Sequence, residues 1–274
     1  MWKNKFPKDK IYFETDNGLL YNADCVEILA EFPSNSIDLV ITSPPYNLGI
    51  DYDVWNDDIP YSGYINWVKK WLKELYRVLK DDGRICINHY LSCGKANNRH
   101  APLMDIHYIA TREIGFKHHG LAIWDDRTVS RLTAFGSWLS ASAPYINSPF
   151  EGILVMYKNT WKKTIKGNST IDKETFLELT SGIWKMPPVG DKYTKANFPE
   201  RLPEICIRGL SYVNDLVLDP FMGSGTVGVV AEKLERRWIG IEISENYCRV
   251  AKGRIKETLY YKKQDLFGGE YVER

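Results

Sequence analysis

The stretch DLVLDPFMGSGTVGVVAEKLERRWIGIE (215–242) limits what this chain can fold into more than any other part of it. An apolar run, a glycine-rich turn, a helical pattern and a second apolar run follow one another without interruption. That order builds two parallel strands joined by a helix packed on one face. The rhythm recurs upstream. GLLYNA (18–23) reads as a strand, CVEILAEF as a short helix and IDLVI (37–41) as a buried strand. Ile65, Val68, Leu72, Leu75 and Leu79 then fall at helical spacing, DDG (81–83) is expected to close that helix with a turn, and RICIN (84–88) is the next strand. The middle, about 91–195, is less regular, with strands over GLAIW (120–124) and FEGILVMYK (150–158). A last helix covers SENYCRVAKGRIKE. The expected class is α/β, a mostly parallel twisted sheet flanked by helices, with 1–274 as a single domain.

Within the turn DPFMGSGTVG, Gly223, Gly225 and Gly228 satisfy GxGxxG, and Glu242 ends the next strand about 20 residues on. Glycines there let backbone approach a ligand, and an acidic residue at that strand end can accept hydrogen bonds from two ribose hydroxyls. The pattern suits any adenosine-containing cofactor, so an NAD-dependent oxidoreductase is one reading. Asp219, Pro220 and Phe221 favour S-adenosylmethionine instead. A carboxylate and an aromatic face suit an ammonium and a sulfonium better than a pyrophosphate.

TSPPYN (42–47) follows the buried strand IDLVI. Two consecutive prolines remove two backbone donors, fix two φ angles and push the residues before them out of the helical region. A stiff corner at a strand's carboxyl end holds the Ser43 hydroxyl, the Pro44 carbonyl and the Tyr46 ring in fixed relation, with Pro45 as the second brace. Those groups suit an exocyclic amine on a flat nucleobase: two acceptors for its N–H groups and a ring to stack on the base. Localising the amine's delocalised lone pair as a methyl group arrives needs no covalent enzyme intermediate.

Both motifs resemble those of the DNA amino-methyltransferases, which methylate cytosine N4 or adenine N6 from S-adenosyl-L-methionine. TSPPYN resembles the family's catalytic (D/N/S)PP(Y/F) motif, and DPFMGSGT its cofactor motif. GIEISENYCRVAKGRI resembles the segment holding the cofactor ribose, and NADCVEIL the strand whose acidic residue, here Asp24, contacts the adenine side. The resemblance covers most of the chain and is weakest over 91–120 and 159–192. It implies a Rossmann-like methyltransferase fold with Ser43, Pro44, Pro45 and Tyr46 as catalytic residues. It implies Asp24, Asp219, Pro220, Phe221, Gly223, Ser224, Gly225, Thr226, Glu242 and Ile243 as cofactor-binding residues. The catalytic corner precedes the cofactor turn, a circularly rearranged order resembling the family's β arrangement. A small target-recognition insertion is then expected between them, placed mainly at 159–192, with Lys158, Lys162, Lys163 and Lys166 around Trp161 as the DNA-binding residues and the lysines towards phosphates. The segment is short, so either a partner subunit or the loops 91–100 and 125–149 are expected to share that role.

In the family that the chain resembles, a serine at the position of Ser43 leans towards cytosine N4, although some serine members act on adenine. GSWLSASAP (136–144) resembles the cytosine members; cytosine N4 is the expected target and adenine N6 the alternative. Either base must be flipped out of double-stranded DNA. A fold that binds DNA without catalysis is a third reading, opposed by the intact corner and turn. Net charge is +1, so any DNA affinity must come from local features. Five scattered cysteines without a CxxC pair speak for reduced thiols and no metal site. With no apolar run long enough to span a bilayer and no signal-peptide core, a cytoplasmic, DNA-associated protein of a prokaryote or phage is expected. A homodimer and a cognate restriction endonuclease acting on the same site complete the expected partners.

Overall fold

The computed structural model describes residues 2–95, 98–125, 136–144, 146, 150–190 and 197–266. In chain order the elements are β1 (Ile11–Glu14), β2 (Gly18–Asn22), α1 (Cys25–Ala30), β3 (Ile37–Thr42), α2 (Tyr61–Val78), β4 (Leu79–Tyr90), the hairpin β5 (Cys93–Lys95) and β6 (Asn98–His100), and α3 (Pro102–Tyr108). Then come β7 (Lys117–Asp125), β8 (Glu151–Tyr157), α4 (Lys173–Ser181), β9 (Ile183–Lys185), α5 (Arg201–Leu210), β10 (Leu216–Asp219), α6 (Thr226–Lys233), β11 (Arg237–Glu242) and α7 (Glu245–Leu266). Short 3-10 and π-helical segments lie at Trp2–Lys5 and Ile109–Ile114.

One sheet runs in the order β1-β2-β11-β10-β3-β4-β8-β7-β9. From β2 through β4 neighbouring strands are parallel, while β8 is antiparallel to both β4 and β7. The parallel centre is covered on both faces, which is why β3 is buried at all six positions. Alternation divides its side chains between two cores. Leu39, Ile41 and Val217 face one, and Val40, Leu216 and Leu218 the other. Of the expected helical stripe, Val68, Leu72 and Leu75 are buried on α2, joined by Tyr64, Trp71 and Val78, while Ile65 is half-buried and Leu79 falls in β4.

The DDG turn is not formed. Leu79 is already extended, at φ −62° and ψ 140°, and β4 starts there without a loop. Ile37 pairs with Leu79 but Leu39 pairs with Arg84, so the segment between bulges out of register. Residues further along the chain take up its polar groups: the Asn159 and Thr160 N–H groups donate to the Asp81 carbonyl at 2.9 and 3.0 Å, and the Thr164 N–H donates to Asp82 at 2.7 Å. A turn signal read locally cannot anticipate partners about eighty residues away.

The segment 159–192 is divided between several neighbours. Its start lies on the β4 bulge, α4 is capped by the Asp172 carboxylate accepting from the Thr175 N–H at 2.8 Å, and β9 joins the sheet beside β7.

Candidate active site

Parallel pairing brings the carboxyl ends of β2, β11, β10 and β3 to one edge of the sheet, where doubly wound folds leave a crevice. Ala23–Asp24, Glu242–Ser244, Asp219–Ser224 and Ser43 with Pro45 all line a cavity at that edge.

The glycine turn is shaped for close approach. Gly223 and Gly225 have φ of +50° and +84°, a region costly for residues with a Cβ. The Gly223 N–H donates to Glu242 Oε2 at 2.7 Å, and the Ser244 N–H donates to Oε1 at 2.9 Å. Glu242 is thereby oriented with lone pairs to spare. Gly228 serves packing: a Cβ there would come within 2.5 Å of Met222 Cε. Ser224 and Thr226 are held from α7 by Arg254, whose guanidinium donates to both hydroxyls at 3.0 and 2.9 Å.

Asp219 is buried and accepts from the Thr42 hydroxyl at 2.8 Å and the Phe221 N–H at 3.1 Å. Burial raises its pKa to about 7, with Glu242 nearby adding to the rise. Burial also raises the pKa of Glu242 itself. Phe221 stands beside Trp67 and Trp71, with ring centroids 5.3 and 5.6 Å away.

Four acids, Asp24, Asp53, Asp219 and Glu242, line the cavity, and among the described residues its wall carries no lysine or arginine. Such a wall fits the ammonium and sulfonium of S-adenosylmethionine and is a poor host for a pyrophosphate. The Asp24 carboxylate also caps α1, accepting from the Val26 and Glu27 N–H groups at 2.8 and 3.1 Å.

At the corner, Thr42 ends β3 and Asn47 sits in the left-handed region at φ +56°. The strained turn is braced by buried Asp57. Its carboxylate accepts from the Asn47, Leu48 and Ile50 N–H groups at 2.8, 2.9 and 3.2 Å. The Tyr64 hydroxyl donates to the Pro45 carbonyl at 3.1 Å. The ring of Tyr46 departs from expectation. It is 3% exposed, 4.6 Å from His89 and 5.0 Å from Tyr90, so it offers no open face for a base to stack on.

Of the residues named from sequence for the cofactor, all but Gly225 line this one cavity, and Ser43 and Pro45 of the corner line it with them. The basic cluster does not stay together. Lys158 is buried, with its ammonium donating to Asn35 Oδ1 at 2.7 Å and the Leu79 carbonyl at 2.8 Å. Lys163 is paired with Asp38 and Asp215 at 3.3 and 3.2 Å. Trp161 stacks on His119, 3.3 Å between ring centroids, under the Arg84 guanidinium. The expectation that these three face DNA is corrected: each is taken up by the fold. Lys162 and Lys166 are exposed. Of the loops expected to share recognition, 96–97, 126–135, 145 and 147–149 lie outside the described residues.

Sequence reasoning missed the far wall. Tyr52, Asp53, Val54 and Trp55 come from the loop after the corner, which Asp53 ties to Ser244 just before α7 and to Asn246 in its first turn. Trp67, Phe198 and Tyr247 complete it. Glu151 and Asn88, hydrogen-bonded behind the corner, were missed as well. None sits in a local pattern that marks a ligand site.

Comparison with known proteins agrees with this geometry. A family model for DNA methylases, the N6/N4 methyltransferases, matches residues 37–253. The type II methyltransferase M.MjaVI of Methanocaldococcus jannaschii is 46% identical over 178 residues, 65% of this chain and 90% of that protein. M.BamHI of Bacillus amyloliquefaciens is 30% identical over 99% of this chain, which spans 64% of its length. The PvuII DNA methyltransferase, cytosine-N4-specific, superposes with a TM-score of 0.71 at 25% identity, covering 96% of this chain and 97% of that one. The Thermus thermophilus protein TTHA0409, solved with S-adenosyl-L-methionine, gives 0.70 at 27%, covering 88% and 95%. An acid-walled crevice at the strand ends, a glycine turn on one side and a proline corner on the other therefore have a common explanation: the chain belongs to the N6/N4 DNA methylase family and is an S-adenosyl-L-methionine-dependent DNA methyltransferase.

Proposed function

We propose that the protein transfers a methyl group to the exocyclic N4 amine of a cytosine flipped out of double-stranded DNA. In this reading Ser43 and the Pro44 carbonyl accept the amine's N–H groups, and Pro45 and Tyr46 keep the corner rigid. Asp219 and Phe221 face the cofactor's ammonium and sulfonium end, with Pro220, Gly223, Ser224, Gly225 and Thr226 shaping the turn around it. Glu242 takes the ribose hydroxyls beside Ile243, and Asp24 the adenine side. The cofactor supplies an electrophilic methyl group; the chain orients it against the amine and excludes water.

The choice of cytosine rests on the identity of Ser43, whose side chain belongs to a residue at the cavity wall. A cytosine-N4-specific enzyme of similar fold supports that choice. An adenine methyltransferase, YhdJ of Escherichia coli, is 25% identical over 93% of this chain, so adenine is the competing product. Nucleoside mass spectrometry of methylated genomic DNA tests it. N4-methylcytosine is the expected product, and N6-methyladenine without it would overturn the assignment. We further place the enzyme in the cytoplasm beside a cognate endonuclease, with Lys162 and Lys166 meeting phosphates. Among the described residues no helix is long and apolar enough to cross a membrane.

A further inference from the structure

Behind the proline corner lies a chain of hydrogen bonds that cofactor binding does not require. The Ser43 hydroxyl donates to Tyr46 Oη at 2.7 Å, and the Tyr46 hydroxyl donates to Glu151 Oε2 at 2.7 Å. Asn88 Nδ2 donates to Tyr46 Oη at 3.1 Å and to Glu151 Oε2 at 2.5 Å. Glu151 opens β8 opposite Tyr90 of β4, and Asn88 lies two residues before Tyr90 on β4, so two antiparallel strands fix the far end of the chain.

Proton counting gives this chain a direction. A carboxylate can only accept, so the single proton of Tyr46 goes to Glu151. The Tyr46 oxygen is left with lone pairs, which accept from Asn88 and from Ser43. The single proton of Ser43 is thereby committed inward, and its own lone pairs point the other way. Burial and the neighbouring Glu151 carboxylate hold the Tyr46 hydroxyl well above its ordinary pKa, so it keeps the proton this arrangement needs. A free serine hydroxyl donates or accepts with equal ease. Here it can only accept.

We propose that Glu151 is a positioning residue that acts through Tyr46 to hold the Ser43 hydroxyl as an obligatory acceptor for the amine of the target base. The inference rests on the reading that Ser43 meets that amine. It adds a basis for specificity: an amine donates to Ser43, whereas a base carrying a carbonyl at that position would bring lone pairs against lone pairs. It also explains why a tyrosine with a 3% exposed ring keeps its hydroxyl. Phenylalanine would fill the same space, but it would break the link between Glu151 and Ser43.

A double-mutant cycle on the full chain tests it, with folding checked by thermal melting and cofactor affinity by calorimetry. Glu151→Gln and Tyr46→Phe are each expected to lower kcat about tenfold or more while S-adenosylmethionine affinity stays within about twofold. Because both act on one hydroxyl, the double variant is expected to be no slower than the slower single. Unchanged kcat in either single variant, multiplied losses in the double, or cofactor affinity falling in step with kcat would each overturn the proposal. Should Glu151→Gln not fold, Tyr46→Phe alone decides, since it frees the Ser43 proton with Glu151 in place. Ser43→Ala separates the two levels. If it leaves kcat intact, the amine does not meet Ser43 and the underlying reading fails. If it lowers kcat while Glu151→Gln does not, only the role of Glu151 is lost.

Discussion

Thr42 and Asp219 lie 177 residues apart in sequence, yet the Thr42 hydroxyl donates to Asp219 Oδ1 at 2.8 Å across two adjacent parallel strand ends. One bond therefore joins the last residue before the proline corner to the first residue of the glycine turn. The substrate side and the cofactor side of the cavity share a wall. That wall contains a carboxyl group whose pKa burial has raised to about 7.

Cofactor affinity should accordingly depend on pH. The cofactor's ammonium favours ionised Asp219, so binding is expected to weaken about tenfold for each pH unit below 7 and to level off above it. Stability of the free protein moves the opposite way. A carboxyl raised from 3.8 to about 7 binds its proton more tightly when folded, so its contribution is lost as pH rises from about 4 to 7. Calorimetry of S-adenosylmethionine binding from about pH 5.5 to 7.5 reads the first effect. A flat profile, or one that Asp219→Asn leaves unchanged, would refute the assignment.

Gly223→Val should remove cofactor binding with modest loss of fold. At φ +50° a β-branched residue is strained by about 1–3 kcal/mol, and relief of that strain would turn the N–H away from Glu242. Affinity is expected to drop tenfold or more. Unaltered affinity in a folded variant would show that this backbone is not part of the binding surface.

Asp57→Ala should loosen the corner from behind. Three backbone N–H groups lose their acceptor, at about 1–3 kcal/mol for each left buried without one. Melting temperature and kcat are both expected to fall, with cofactor affinity less affected than kcat. A variant with normal turnover would mean that the prolines alone keep the corner in shape.

The lysines of the middle segment should divide into two classes. Lys163→Met is expected to cost about 3 kcal/mol, the low end for breaking a buried pair, because Lys80 still reaches Asp38 at 2.7 Å. Lys162→Ala with Lys166→Ala should leave melting unchanged and reduce the salt dependence of DNA binding by roughly one unit of slope per lysine. If Lys163→Met instead weakens DNA binding at unchanged stability, its pairing with Asp38 and Asp215 is not what holds it.

The parts of the site legible in the sequence are those whose chemistry is local. A strand, a glycine turn and an acid ending the next strand are consecutive, so Asp219, Gly223 and Glu242 could be placed before any coordinates. The same holds for the stiffness of Ser43 to Tyr46. What Tyr46 does with that stiffness was not legible, because its hydroxyl answers to Glu151, 105 residues later. The lysines failed for the same reason. Sequence displays their charge but not Asp38 and Asp215, which neutralise Lys163 from other strand ends. The DDG turn was lost to partners arriving from 159–164.

The bond between β3 and β10 also dictates an order of events in the making of the protein. β3 finds β4 soon after it is synthesised, but its other edge waits for a strand 177 residues further on. At about 5–20 residues per second a ribosome needs on the order of ten to thirty-five seconds to supply it. For that interval the nascent chain carries the proline corner beside an unpaired strand edge. Such an edge is vulnerable to mispairing, and methylation competence begins only when the C-terminal third closes it.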